Sequence, residues 1–327
     1  MAFTHTTHTV RGYLYVAAAT LCWGISASLG RAAFTGRLFG GLQPIDPIIL
    51  AQARTTIAFL ILTPILLGVL GRKRLTLPRR EMVRAFLLGA FGLAISNYAY
   101  YLAIQKTTVA TAIILQYTAP IWVLLFLVST GQQKATASRV WGVALAVGGC
   151  VFAIGVFSGV AHFPFLALAT GSIKINTIGV VAAQAAALSF AFYSIYGRQL
   201  LQRFDRWAVL THAFLGAAIV WIIVNPPWKI VAAHYSASQY GFMLLFSITS
   251  AAIPFSFYFA GLHHLDATRA IVTGALEPVF SVLIAAVCLG EIVSPIQVLG
   301  IGIVLSAIVL IQRPQGDREA IAVEPIE

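Results

Sequence analysis

Between Arg269 and Gly290 the chain places an acid where an acid is costly. Glu277 lies inside an apolar run long enough to cross a bilayer, and Pro278 follows it. Proline has no N–H, so the carbonyl of Gly274 loses its helical donor, and a carboxylate and a free backbone acceptor come side by side. An ionisable group at that depth turns toward a partner or a wet cavity rather than toward lipid. Such an acid can carry a proton or hold a substrate ammonium; the alternative is a packing residue beside a kink. Arg54 is the corresponding cation. It lies eight residues into an apolar run that begins at Asp46-Pro47, roughly 12 Å deep at 1.5 Å per residue. There it can pair with Glu277, bind an anionic group, or snorkel back to the headgroups. Polar and aromatic side chains recur in other apolar runs: Asn97 and Tyr101 four apart on one face, with Tyr98 beside them; Gln116 and Tyr117 just before Pro120; Trp23, Ser26 and Gly30 at one-face spacing; Phe190 and Tyr193 three apart, near Tyr196; and Thr273, Glu277 and Ser281, four apart. Together they describe an aromatic and hydroxyl-lined cavity whose helices are interrupted at Pro120 and Pro278. His212 can titrate there or serve as a hydrogen-bonded packing residue.

The elements that must position these residues follow from composition. Of 327 residues 59% are apolar and 9% charged, against about 25% charged in an ordinary soluble domain. This is the composition of an all-α polytopic membrane protein, with the lipid bilayer as its first partner. A formal charge of +11 would suggest nucleic acid in a soluble chain. Here the basic residues stand between apolar runs with no aromatic interleaving, so they set topology and no nucleic-acid partner is expected. Cys22, Cys150 and Cys288 lie scattered in apolar stretches, too few for a disulfide framework or a thiolate metal site. His5 and His8 fall in a threonine-rich N-terminal tail, expected to be unstructured rather than metal-binding. The first apolar run exceeds a signal-peptide core and is expected to be retained. No Gly-rich phosphate loop with a following Lys-Ser/Thr occurs, and no cofactor is expected.

Windows of spanning length fall near 13–33, 46–70, 82–104, 107–128, 139–157, 178–197, 208–224, 239–262, 269–289 and 295–312, which predicts ten helices. With the N-terminus inside, fifteen Lys and Arg fall on inner segments and five on outer ones, which puts both termini in the cytoplasm. The acidic tail 313–327 is expected to be disordered. Sliding the chain by 158 residues sets Tyr100 on Tyr258, Ile113 on Ile271, Pro120 on Pro278, Gly142 on Gly300 and Arg54 on His212. Duplicated halves, 13–157 and 178–312, with five helices each must enter the membrane from opposite sides, so the repeats are inverted and the site lies near the midplane.

At these residues the sequence resembles the EamA family of the drug/metabolite transporter superfamily. Leu276-Glu277-Pro278-Val279-Phe280, then Leu289-Gly290-Glu291, then the Gly300-centred last helix are similar to the end of the family's second repeat; Trp23-Gly24 and Arg54 are similar to its helix 1 and helix 2 signatures. The resemblance implies a ten-helix exporter built from two EamA repeats, for amino acids, drugs or other metabolites, and allows Glu277 as a candidate for proton coupling. Two positions depart from the pattern: Ala119 stands where a first-repeat glutamate would, and His212 replaces an arginine. The function expected is therefore secondary export of small molecules across a bacterial-type cytoplasmic membrane, by a monomer or homodimer. An exchanger of phosphorylated or nucleotide-sugar metabolites is the alternative within transport, and an intramembrane enzyme or sensor the alternative outside it. A protease would need paired acids, a nucleophile with its base, or a His-Glu metal set within the spans; Glu277 has no second intramembrane carboxylate, and no His-Glu-x-x-His occurs.

Overall fold

The computed structural model describes residues 2–34, 43–107, 109–153, 176–289 and 293–312, though some side chains near helix ends are not described. Every regular element among them is helical. In chain order they are α1 (Ala2–Phe34), α2 (Pro47–Leu70), the single turn α3 (Arg72–Leu75), α4 (Arg79–Leu87), a π-helical segment (Leu88–Ala94), α5 (Ile95–Lys106), α6 (Val109–Gln116), α7 (Ala119–Ser129) and α8 (Ala137–Ala153). There follow α9 (Thr177–Leu201), α10 (Arg206–Val224), the short α11 (Pro227–Ala232), α12 (Ala237–Ser247), a second π segment (Ile248–Ala252), α13 (Ile253–His264), α14 (Ala267–Gly274), α15 (Leu276–Leu289) and α16 (Pro295–Gln312). Eight stretches among the described residues are long and apolar enough to cross a membrane, and Ala137–Ala153 is a shorter apolar helix. The protein is thus an integral, multi-pass membrane protein.

Local chemistry explains the starts and breaks. Asp46 caps α2, its Oδ1 accepting from Ile48 N at 2.7 Å and Ile49 N at 3.3 Å, with Pro47 at the first position. Asp205 caps α10 and Asp266 caps α14 in the same way. The helix carrying Pro120 breaks at Tyr117-Thr118, and the helix carrying Pro278 breaks at Ala275, in each case two or three residues before the proline. The break precedes the ring because proline constrains the residue before it and denies the preceding turn its N–H.

Boundaries repeat along the chain. The starts of α5, α6 and α8 at Ile95, Val109 and Ala137 recur 158 residues on, at Ile253, Ala267 and Pro295, and each π segment ends just before the first of these, at Ala94 and Ala252. The π segments were not anticipated. In the first, close packing makes the irregularity useful: a Cβ on Gly89 would stand 1.7 Å from the Ala213 carbonyl oxygen, so α10 lies directly against this backbone.

Two sequence-based expectations need correction. Residues 2–12, expected as an unstructured tail, continue α1, because extending a helix already nucleated by its packed portion costs only propagation. The broken helix over 107–128 is two helices rather than one. The tail 313–327, the loop 158–175 and Gly290-Glu291 lie outside the described residues.

Candidate functional site

Between the two broken helices lies a cavity of about 130 Å³, room for several waters or one small metabolite. Its wall includes Trp23 and Gly30 from α1, Arg54 from α2, Asn97 and Tyr101 from α5, Gln116 from α6, Pro120 from α7, Tyr193 from α9 and Glu277 from α15. The cavity thus joins residues from both halves of the chain. A Cβ on Gly24 would stand 3.1 Å from the Glu277 carbonyl oxygen and 3.1 Å from Ser281 N. Glycine here lets α1 lie against the start of α15, which brings Trp23 to the site.

Arg54 does not snorkel. Its Nε donates to the Ser250 carbonyl at 3.1 Å and one terminal nitrogen to the same oxygen at 2.8 Å; the other terminal nitrogen donates to Asn97 Oδ1 at 3.3 Å. The guanidinium carbon stands 5.8 Å from the centroid of the Phe255 ring, a cation–π contact. The Ser250 carbonyl is open to this fork because Pro254, four residues on, has no N–H to give it. Glu277 faces Arg54 across the cavity within electrostatic reach but without forming an ion pair. The Tyr117 hydroxyl stands against the Glu277 carboxylate, short of hydrogen-bond geometry. A cation and an acid thus occupy one chamber without cancelling each other.

On one side an aromatic layer closes the chamber. Trp23 packs on Phe255 and Tyr258 with ring centroids 5.3 and 5.5 Å apart, Tyr193 on Phe259 at 5.2 Å, and Phe190 on Tyr258 at 5.6 Å. Beneath it the Ser194 and Tyr258 hydroxyls share a hydrogen bond of 2.8 Å. Several polar atoms of the wall, Trp23 Nε1, Asn97 Nδ2 and the Tyr193 hydroxyl, are buried without a protein partner.

Five residues expected at the site, Tyr98, Tyr196, His212, Thr273 and Ser281, stand outside the cavity lining. Tyr98 is exposed, its ring 6.2 Å from Trp221; one residue past Asn97, it is rotated about 100° around the helix. Thr273 is buried and donates to the Arg269 carbonyl at 2.7 Å. The four-residue spacing to Glu277 does not keep them on one face because the helix breaks at Ala275 between them. Ile271 and Gly274 line the cavity instead. His212 turns back on its own helix, Nδ1 lying 2.8 Å from the Ala208 carbonyl, the packing alternative rather than a cavity group. Pro278 lies behind Glu277, buried and outside the lining. Residues that sequence reasoning did not single out include Ser96, Phe246 and Phe255. Only Pro254 hinted at the second π segment that places the last of these.

Comparison with known proteins assigns the chain to a family. The model of the EamA-like transporter family matches twice, over residues 10–155 and 177–313. The chain belongs to the EamA-like transporter family. Among relatives, it is 26% identical over 269 residues to the threonine/homoserine exporter RhtA of Escherichia coli strain K12, covering 81% of this chain and 83% of that one. It is 23% identical over 307 residues to an uncharacterized transporter of Archaeoglobus fulgidus, covering 93% and 99%. A solved crystal structure superposes with a TM-score of 0.70 at 19% identity over 94% of this chain and 97% of that one, a likeness of fold.

Proposed function

We propose that the protein is a secondary exporter of small metabolites, zwitterionic amino acids first among them, working by alternating access across a bacterial-type inner membrane. The observation that carries this is the pair Arg54 and Glu277, opposite in charge, in one buried cavity and not bound to each other. A carboxylate can dock on Arg54 and an ammonium on Glu277, while the aromatic and small residues between them accept a modest side chain. The name of the Escherichia coli relative, a threonine/homoserine exporter, agrees with such a substrate. Arg54 is the single cation lining the cavity among the described residues, which favours one carboxylate over phosphorylated or nucleotide-sugar cargo.

The architecture we propose is ten spans, the eight long apolar stretches with α1 and α8, arranged as two inverted five-helix repeats, 13–157 and 178–312. The recurring helix starts and the twofold match of the family model support it. The lining reaches Gly30, Ile104 and Ile113, near helix ends that the basic residues assign to the outside. The aromatic layer lies on the other side, which supports an outward-facing state. Cytoplasmic termini follow from the same charge pattern. Glu277 is the proposed proton-coupling group; whether one or two copies assemble is independent of the cavity, which one chain completes. The test is efflux from proteoliposomes loaded with a panel of amino acids and amphipathic cations. Saturable, protein-dependent efflux of an amino acid is expected; efflux of none of the panel would contradict the reading.

A further inference from the structure

A guanidinium carries only donors. Asn97 therefore has to turn its amide oxygen toward Arg54, as the 3.3 Å bond shows, and its NH₂ group is turned away. That nitrogen is buried at the cavity wall with no protein partner, in a residue only 8% exposed. A buried unpaired N–H is costly and uncommon in native structures, so one at a cavity wall points to an acceptor brought by a ligand. The Ser250 carbonyl and Asn97 Oδ1 engage only part of the Arg54 fork, so Arg54, which lines the same cavity, keeps N–H donors of its own.

We propose that Asn97 is a positioning and selectivity residue. Its amide oxygen, with the Ser250 carbonyl, mounts the Arg54 guanidinium over the Phe255 ring, and its amide nitrogen supplies a second donor to an anionic oxygen of the transported molecule. The selectivity half rests on the transport reading above; the mounting half does not. Aspartate at this position would reverse the chemistry while keeping the shape: it would pair with Arg54 and present acceptors where the anion's donors stood.

Two measurements separate the halves. The first is site-resolved phenylglyoxal labelling of the purified protein, with peptides read by mass spectrometry. Arg54 in Asn97→Leu should be modified several-fold faster than in wild type, with Arg139 unchanged as an internal reference. An unchanged Arg54 rate would overturn the mounting role, whatever the substrate. The second compares L-threonine with its methyl ester in proteoliposomes. Asn97→Leu should raise KM for the free acid roughly tenfold or more with kcat little altered and the ester unaffected, and Asn97→Asp should lose the acid further. Equal losses on acid and ester, or none on the acid, would overturn the selectivity role. If wild type moves no amino acid at all, the transport reading and the selectivity role fail together, while the labelling still decides the mount.

Discussion

Arg54 is mounted by two acceptors from different helices, the Ser250 carbonyl and Asn97 Oδ1, and this sets what can replace it. Lysine keeps the charge but has a single ammonium on a flexible stem, with no planar fork to span both acceptors. Arg54→Lys should therefore reduce initial efflux rates in proteoliposomes by at least tenfold, nearly as much as Arg54→Gln, while both variants express and purify as wild type. Wild-type rates in Arg54→Lys would mean that charge alone is used. Arg54, Glu277, Trp23, Asn97, Tyr101, Gln116 and Tyr193 were legible in the sequence because polar, charged or aromatic groups inside apolar runs must face something other than lipid. The Ser250 carbonyl was not, since a backbone acceptor is the same under every residue and only Pro254 marks it. Thr273 stands off the cavity because its four-residue spacing to Glu277 spans the break at Ala275, and Tyr98 because it lies one residue past Asn97 around the helix.

At the scale of elements, the first broken helix is clamped from α9. Gln184 Oε1 accepts from Thr118 Oγ1 at 3.2 Å and Trp122 Nε1 at 3.1 Å, and its Nε2 donates to the Leu115 carbonyl at 3.4 Å. One side chain thus serves both sides of the interruption at Tyr117-Thr118. In Gln184→Leu, Thr118 Oγ1 and the Leu115 carbonyl keep each other, but the Trp122 indole N–H loses its acceptor, a cost of about 1–3 kcal/mol, which should lower Tm in detergent by several degrees as followed by tryptophan fluorescence. An unchanged Tm would mean that the break stands without the clamp. The helices and their approximate ends were readable from apolar window length; the caps Asp46, Asp205 and Asp266 emerged with the structure. The π segments were not readable: Pro254 alone hints at the second, and at the first α10 lies directly against Gly89, a tertiary contact that no local pattern encodes.

Across the whole molecule, the proposed exporter requires that the chamber open to each side of the membrane in turn. Orientation is the first requirement. Arg72, Lys73, Arg74, Arg79, Arg80 and Arg84 cluster between α2 and the body of the next span, and this segment is expected to be cytoplasmic. A cysteine placed at Lys73 should resist an impermeant thiol reagent in intact cells and react after permeabilisation; labelling from outside would invert the topology. The membrane class was legible from composition, and helix starts recur at the 158-residue register seen in the sequence, whereas the meeting of both halves of the chain at one cavity needed coordinates. The central requirement is that Glu277 titrates during the cycle. Glu277→Gln keeps shape and hydrogen-bonding reach but carries no titratable proton. The most direct measurement is therefore amino-acid accumulation in proteoliposomes under an imposed pH gradient, run beside exchange at uniform pH. In Glu277→Gln, gradient-driven accumulation should vanish while exchange persists; accumulation that survives with an unchanged pH dependence would contradict the coupling role.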